Sequence, residues 1–315
     1  MTLFLAVVAL ALVVPWGAAP VARHLARLLS PRAASLALPS AALLLAGGVV
    51  SALVGLFHVP FLAHFEQLPL SSVLSEWPAV VPVSCVAGAI LASQGARLVR
   101  RWREHRSLIA RTWELTGGVP AVGDLLVVPG AEAEAFALPG HRGRAGRVVV
   151  TEGMLRALNP AEQGVLLAHE RAHLSGRHHL LSLALELAGA VHPALRGLRD
   201  PLDFHLERWA DERAAASVGD RRLAASAIAR AALAAAASEG GGGRRKHLLS
   251  VSTGPVPRRV RALLEPGHAG ARGRAPRAAA VGLGAVVALA ALSGLALAYG
   301  LHEYVEFMAE GVRGR

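Results

Sequence analysis

Four stretches of this chain carry no Asp, Glu, Lys or Arg: residues 1–22, 33–57, 77–96 and 278–301. Each is long enough to cross a bilayer, which takes about 20 helical residues. With 53% hydrophobic and only 17% charged residues, the balance points to a membrane protein rather than one large soluble domain. Pro15, Pro39 and Pro82 fall within or near the ends of the first three runs, where membrane helices tolerate proline better than soluble ones do. The first run lacks the positive start of a signal peptide, so it is expected to remain as an anchor. Cys85, the single cysteine, lies in the third run and is expected as a buried small hydrophobe outside any disulfide.

The arginines then set an orientation. Arg23, Arg27 and Arg32 separate the first two runs, whereas residues 58–76 hold Glu66 and Glu76 but no Lys or Arg. Six arginines from Arg97 to Arg111 follow the third run, and six from Arg258 to Arg277 precede the fourth. The positive-inside rule places the first connection and residues 97–277 in the cytoplasm and both termini outside. These clusters account for the formal charge of +11 without nucleic acid, so none is expected as a direct partner. The expected fold is a membrane α-helical protein with four transmembrane helices and an inserted α+β zinc-peptidase domain. Residues 1–99 carry three spans, 100–277 the cytoplasmic domain, and 278–315 the fourth span with a short extracytoplasmic tail.

Within that domain, residues 123–130, 133–140 and 147–151 read as strands bounded by turn residues. Asn159, Pro160 and Glu162 form the entry grammar of a helix that is expected to end at Gly176. Asp200, Pro201 and Asp203 repeat that grammar for a helix stopping at Gly219. Between these two, residues 180–191 are apolar but too short to span, and fit a buried or membrane-apposed helix. An alanine-rich helix over 221–238, a flexible linker over 239–246 and a short helix over 256–266 complete the domain.

The first of these helices carries His169-Glu170-Arg171-Ala172-His173, an H-E-x-x-H pattern. Two histidines four apart share one helix face, so both imidazoles reach a single metal ion, taken as one Zn2+ per chain. Zinc activates water and polarises a carbonyl, and Glu170 is placed to act as general base and proton shuttle in peptide hydrolysis. Chance alone gives about 0.03 occurrences of the five-residue pattern at this composition.

A catalytic zinc needs a third protein ligand and an open position. Gly176 and His179 extend the motif to H-E-x-x-H-x-x-G-x-x-H, the pattern of a clan that also needs a downstream Met-turn. The methionines are Met1, Met154 and Met308, and none can supply that turn. Glu207 and Asp211, four apart on the later helix, offer the alternative. Glu207 is the expected third ligand, and Asp211 is expected to accept a hydrogen bond from the distal nitrogen of a ligand histidine. His205, His178 and Arg208 lie near enough in sequence to be candidates for stabilising the oxyanion.

On His169-Glu170-Arg171-Ala172-His173, on Glu207-x-x-x-Asp211, and on the domain's place between a third and fourth span, the chain resembles the integral-membrane gluzincin peptidases. It looks most like the BlaR/MecR-type beta-lactam sensor-transducer family, although no penicillin-binding sensor domain follows the fourth span. The resemblance implies that Phe136, Ala137 and Leu138 bind substrate backbone as an added strand. It also implies a membrane-anchored endopeptidase whose partners are the lipid bilayer and a protein substrate such as a winged-helix repressor. Two alternatives stand beside this reading: an HtpX/Ste-type quality-control protease, and a non-catalytic signalling scaffold with structural zinc.

Overall fold

The computed structural model describes residues 2–66, 77–239 and 256–265 continuously, apart from the side chains before Leu12, with isolated helical residues elsewhere. The fourth expected span and most of the glycine-rich linker therefore lie outside the described stretches.

Three long helices open the chain: α1 (Thr2–Ala26), α2 (Pro31–Phe65) and α3 (Val80–Leu115). Ser30 caps α2 by accepting a hydrogen bond from the Ala33 amide, and Pro31 occupies the first helical turn. Among the described residues, α2 and α3 are long and apolar enough to cross a membrane. They meet closely because Gly88 has no side chain: a Cβ there would sit 2.8 Å from the Phe57 ring. Ser84 next to it donates to the Phe57 carbonyl at 2.8 Å, the kind of small-residue contact that holds helices together in lipid.

Three expectations change here. Helix α2 runs to Phe65, into the stretch expected as a loop, and α3 continues unbroken from the third apolar run through Arg97–Arg111 to Leu115. The link from span to domain is thus a rigid helix, since nothing in residues 97–111 breaks the pattern: Gly and Pro are absent there. Cys85 is exposed rather than buried, on the outer face of α3.

The sheet contains β1 (Ala121–Val122), β2 (Leu125–Val128), β3 (Ala135–Leu138) and β4 (Arg147–Thr151), in the order β1-β2-β4-β3. β2 runs parallel to β4 and β3 antiparallel to it, which leaves β3 as an edge. After α4 (Glu152–Ala157) comes α5 (Pro160–Ser175), entered through the expected Asn159–Glu162 capping box. Then follow α6 (His178–Val191), a 3-10 turn at Pro193–Leu198, α7 (Arg199–Val218), α8 (Arg221–Glu239) and α9 (Val256–Leu264). Asp200 does not cap α7, because the 3-10 turn leads directly into it and Leu198 takes the cap position.

The domain shares one of its cores with the first helices. Leu185, Leu195, Leu198, Leu202 and Leu206 from α6, the 3-10 turn and α7 share one buried cluster with Leu38, Leu45 and Val49 of α2. The apolar α6 therefore buries its face against the first helices. A second cluster, around Val165, Ala214, Ala225 and Leu263, ties α5, α7, α8 and α9 together. The second cluster fixes α5 and α7 against each other, and the site lies between them.

Candidate metal centre

Four residues of α5 and α7 turn their polar ends inward: His169, Glu170, Glu207 and Asp211 are all buried. Nε2 of His169 lies 3.2 Å from Nε2 of His173, and these atoms lie 3.5 and 3.4 Å from the two Glu207 carboxylate oxygens. Two ligands on a tetrahedral zinc, each about 2.0–2.1 Å from the ion, stand about 3.3–3.4 Å apart. The two imidazole nitrogens stand near that spacing from each other and each from one oxygen of Glu207, so His169, His173 and Glu207 fit a tetrahedral ion with a fourth position to spare.

Both histidines are oriented through their other nitrogen. Nδ1 of His169 lies 3.0 Å from Oδ1 of Asp211, so the imidazole donates there and keeps its Nε2 lone pair for a metal. Nδ1 of His173 lies 2.8 Å from Nδ1 of His178, at the start of α6. With Nε2 of His173 facing the donor cluster as a lone pair, its Nδ1–H donates to His178, which then carries its own proton on Nε2. Trp209 packs on the His178 ring at 4.6 Å between centroids.

Gly176 serves this contact, not a left-handed helix end. Its φ is −78°, whereas the left-handed residue is Arg177 at +50°. A Cβ at Gly176 would lie 2.4 Å from Nε2 of His178, so glycine is needed there for space. His179 points elsewhere: its ring stacks on His105 of α3 with centroids 6.2 Å apart, and it is not in the donor group.

Arg259 of α9 is the residue that sequence reasoning missed. It donates two bonds to Asp211, at 2.8 and 2.6 Å, and its Nη1 lies 2.7 Å from Oε2 of Glu207. It is 4% exposed, although it had been counted among the basic residues flanking the fourth span. One signal was present: Arg259 and Leu263 are one turn apart, and a buried Glu/Asp pair demands a countercharge.

The electrostatics suit a cation. Burial opposes ionisation of Glu207, yet Arg259 and the two histidines hold its carboxyl well below the usual range. Burial lowers the pKa of His169, but Asp211 and Glu207 outweigh it and raise it. The same field favours a positive ion at the donor atoms. Burial, helped by the charges of His169 and Arg259, lowers His173 to about 4, which keeps it neutral and able to ligate. Glu170, one position round from His169, is pushed up to about 7 by burial.

Glu170 and the donor cluster open onto a cavity of about 510 Å3, walled by α3, α6 and β3. The amide of Ala137 faces the Glu170 carboxylate and favours its charged form. Just before β3, the Glu134 carbonyl accepts from the Thr151 amide at 2.9 Å, so alternation turns the backbones of Phe136 and Leu138 toward β4 and those of Ala135 and Ala137 outward. Of the three residues expected to bind substrate backbone, only Ala137 faces the free edge. Leu138 is fully buried with Trp113 and Val149 in the core behind the sheet. His205 is buried, and Arg208 approaches Glu212 at 3.8 Å; neither lines the cavity, whereas His178 does.

Comparison with known proteins converges on the same segment. Residues 116–197 match the model of peptidase family M48, a span that includes His169, Glu170 and His173 and ends before Glu207. A protease HtpX homolog from Pelotomaculum thermopropionicum is 41% identical over 68 residues, covering 21% of this chain and 24% of that protein. A protease HtpX homolog from Acaryochloris marina is 43% identical over 71 residues, covering 21% of this chain and 23% of that protein. The matches thus span about a quarter of the length of these relatives, and no solved structure matches the chain. They support a metallopeptidase domain of the M48 family, and they favour the HtpX-type alternative over the sensor-transducer likeness.

Proposed function

We propose that this chain is a membrane-anchored, zinc-dependent endopeptidase of the HtpX kind, acting on membrane or membrane-proximal proteins from the cytoplasmic side. The observation that carries the reading is the convergence of His169, His173 and Glu207 at tetrahedral ligand spacing beside Glu170. The chemistry that a zinc ion supplies when bound there is Lewis acidity toward water and toward a scissile carbonyl.

The residues then have separate tasks. Glu170 accepts the proton of the attacking water and passes it to the leaving amine, and a pKa near 7 suits a group that must do both. The Ala137 amide fixes the carboxylate that does this work. Asp211 and His178 hold the two imidazoles in the tautomer that presents Nε2. On the free edge of β3, Ala135 offers both its backbone groups and Ala137 its carbonyl to an extended peptide that can add there. Such a peptide must be unfolded locally, which fits damaged or misassembled membrane proteins as substrates.

The sensor-transducer reading keeps one observation in its favour: only the 14-residue α6 separates the two zinc motifs, too short for extra spans. Purified protein in lipid nanodiscs, offered a misfolded membrane protein and a winged-helix repressor, separates the two. Zinc-dependent cleavage of the misfolded substrate is expected. Cleavage of the repressor alone would overturn the quality-control assignment.

A further inference from the structure

Behind the catalytic cavity lies a second one of about 230 Å3, bordered by Arg97, Arg100 and Arg101 of α3 and by Arg196 and Arg199 at the entry to α7. Two carboxylates, Glu186 and Asp203, border it as well. Both engage the same arginine: Arg199 pairs with Glu186 and approaches Asp203 at 3.6 Å. Arg97 and Arg196 have no carboxylate partner among the described residues. Each donates its Nε to a carbonyl at the end of α6, Arg97 to Ala190 and Arg196 to Gly189, both at 3.0 Å.

Those two bonds cap the helix, but they use only one of the five N–H donors of each guanidinium. They also hold both groups in place. Gly189 is shaped for this, since a Cβ there would press to 3.0 Å on the Arg196 side chain. The positive-inside rule explains why arginines follow the third apolar run. It does not explain why three of them meet two more from a distant segment around one cavity. Arg100 and Arg101 share Glu104, at 3.8 and 3.3 Å, so five arginines meet three carboxylates; the excess positive charge repels itself, and a bound anion relieves that cost.

We propose that this cavity binds a phosphate-bearing anion. Its place suggests the source. Arg97 is the first charged residue after the 20 uncharged positions 77–96, of which the 17 within α3 cover about 26 Å, close to the thickness of a bilayer's hydrocarbon core. Arg97, Arg100 and Arg101 then stand at headgroup depth, where basic pockets between helices take up anionic lipid. A cavity of 230 Å3 exceeds several-fold the roughly 30 Å3 share of one water in the liquid, so a phosphate group fits inside. This cavity adjoins the catalytic one, sharing Arg101, Ser182, Glu186 and Arg199 with it, but includes none of the donor residues, so the proposal stands or falls independently of the peptidase reading.

The test uses the full chain in detergent micelles, with melting temperature as the readout. The probes are dioctanoyl-phosphatidylglycerol, dioctanoyl-phosphatidylcholine and inorganic phosphate. Phosphatidylglycerol is expected to raise Tm saturably. In the variant with Arg97→Gln and Arg196→Gln together, its apparent affinity should fall roughly thirtyfold, about fivefold per arginine. Removing the same charge by Arg103→Gln and Arg106→Gln, which lie on α3 outside this cavity, should leave the affinity unchanged. Should the cavity variant melt early without lipid, Arg100→Gln alone replaces it, with about a fivefold loss. Inorganic phosphate binding as tightly as the lipid identifies a free phosphate as occupant, and much weaker binding identifies the headgroup. The proposal is overturned if neither anion raises Tm, if phosphatidylcholine raises it equally, or if the control variant loses as much as the cavity variant.

Discussion

Arg259 places its Nη1 2.7 Å from Oε2 of Glu207, so a residue from the last described helix neutralises the carboxylate that faces both motif histidines. The same guanidinium grips Asp211 through two bonds. A donor cluster drawn from α5 and α7 therefore depends on α9, which the chain reaches only after residues 240–255. Replacing Arg259 with Gln leaves two buried carboxylates without their cation. A loss of about 3–5 kcal/mol in stability is expected. Arg259→Lys keeps the charge but not the fork, and zinc affinity in a chelator competition should fall about tenfold.

His178 and His179 are adjacent and should behave oppositely. His178→Phe removes the acceptor that orients His173, and zinc affinity should drop about tenfold to a hundredfold. His179→Ala should leave zinc content unchanged, because that ring stacks on His105. Glu207→Ala should lose the metal. Metal analysis of the three purified variants checks all of this at once, and loss of zinc only in the His179 variant would reverse the assignment of the third ligand.

Gly176→Ala introduces a methyl that overlaps the His178 ring. Overpacking of this kind costs about 1–3 kcal/mol, and here it also displaces the partner of His173. Lower Tm together with weaker zinc retention is expected. A Tm equal to wild type would show that the ring is free to move.

Asp203 supplies a pH signature outside the donor cluster. Burial pushes its pKa up to about 6, against the opposing pull of Arg199. A carboxyl whose folded pKa exceeds its unfolded value contributes stability that is fully present below about pH 4 and is lost as pH rises through about 6. The contribution is at most about 3 kcal/mol. Denaturation midpoints measured from pH 4 to pH 7 should show this fall in the wild type, and Asp203→Asn should lack it, so that the difference between the two proteins traces the Asp203 contribution.

Much of this was legible in the sequence, and the reasons differ by element. Charge-free runs announced α1, α2 and α3, since a bilayer excludes unpaired charge. Their ends were not announced: α3 runs past Arg97 because helix propensity, not hydropathy, decides where a helix stops. The Asn159 box was readable because a cap is local chemistry. Asp200 looked equivalent and was not, because the 3-10 turn before it depends on packing against α1 and α2. His169, His173 and Glu207 declared themselves by helical spacing. Arg259 and His178 did not, since each acts through a contact made only when α9 and α6 dock. The three-residue segment at 136–138 was read as one unit, yet the alternation of a strand turns only Ala137 outward.

The central claim is that Glu170 performs the proton transfers of peptide hydrolysis in a zinc site built from His169, His173 and Glu207. Single-turnover cleavage of an unfolded membrane-protein substrate by zinc-loaded wild type and Glu170→Gln tests it directly. The account predicts that the variant retains one zinc per chain while its cleavage rate falls by about a hundredfold or more. Cleavage by the zinc-loaded variant at the wild-type rate would contradict it.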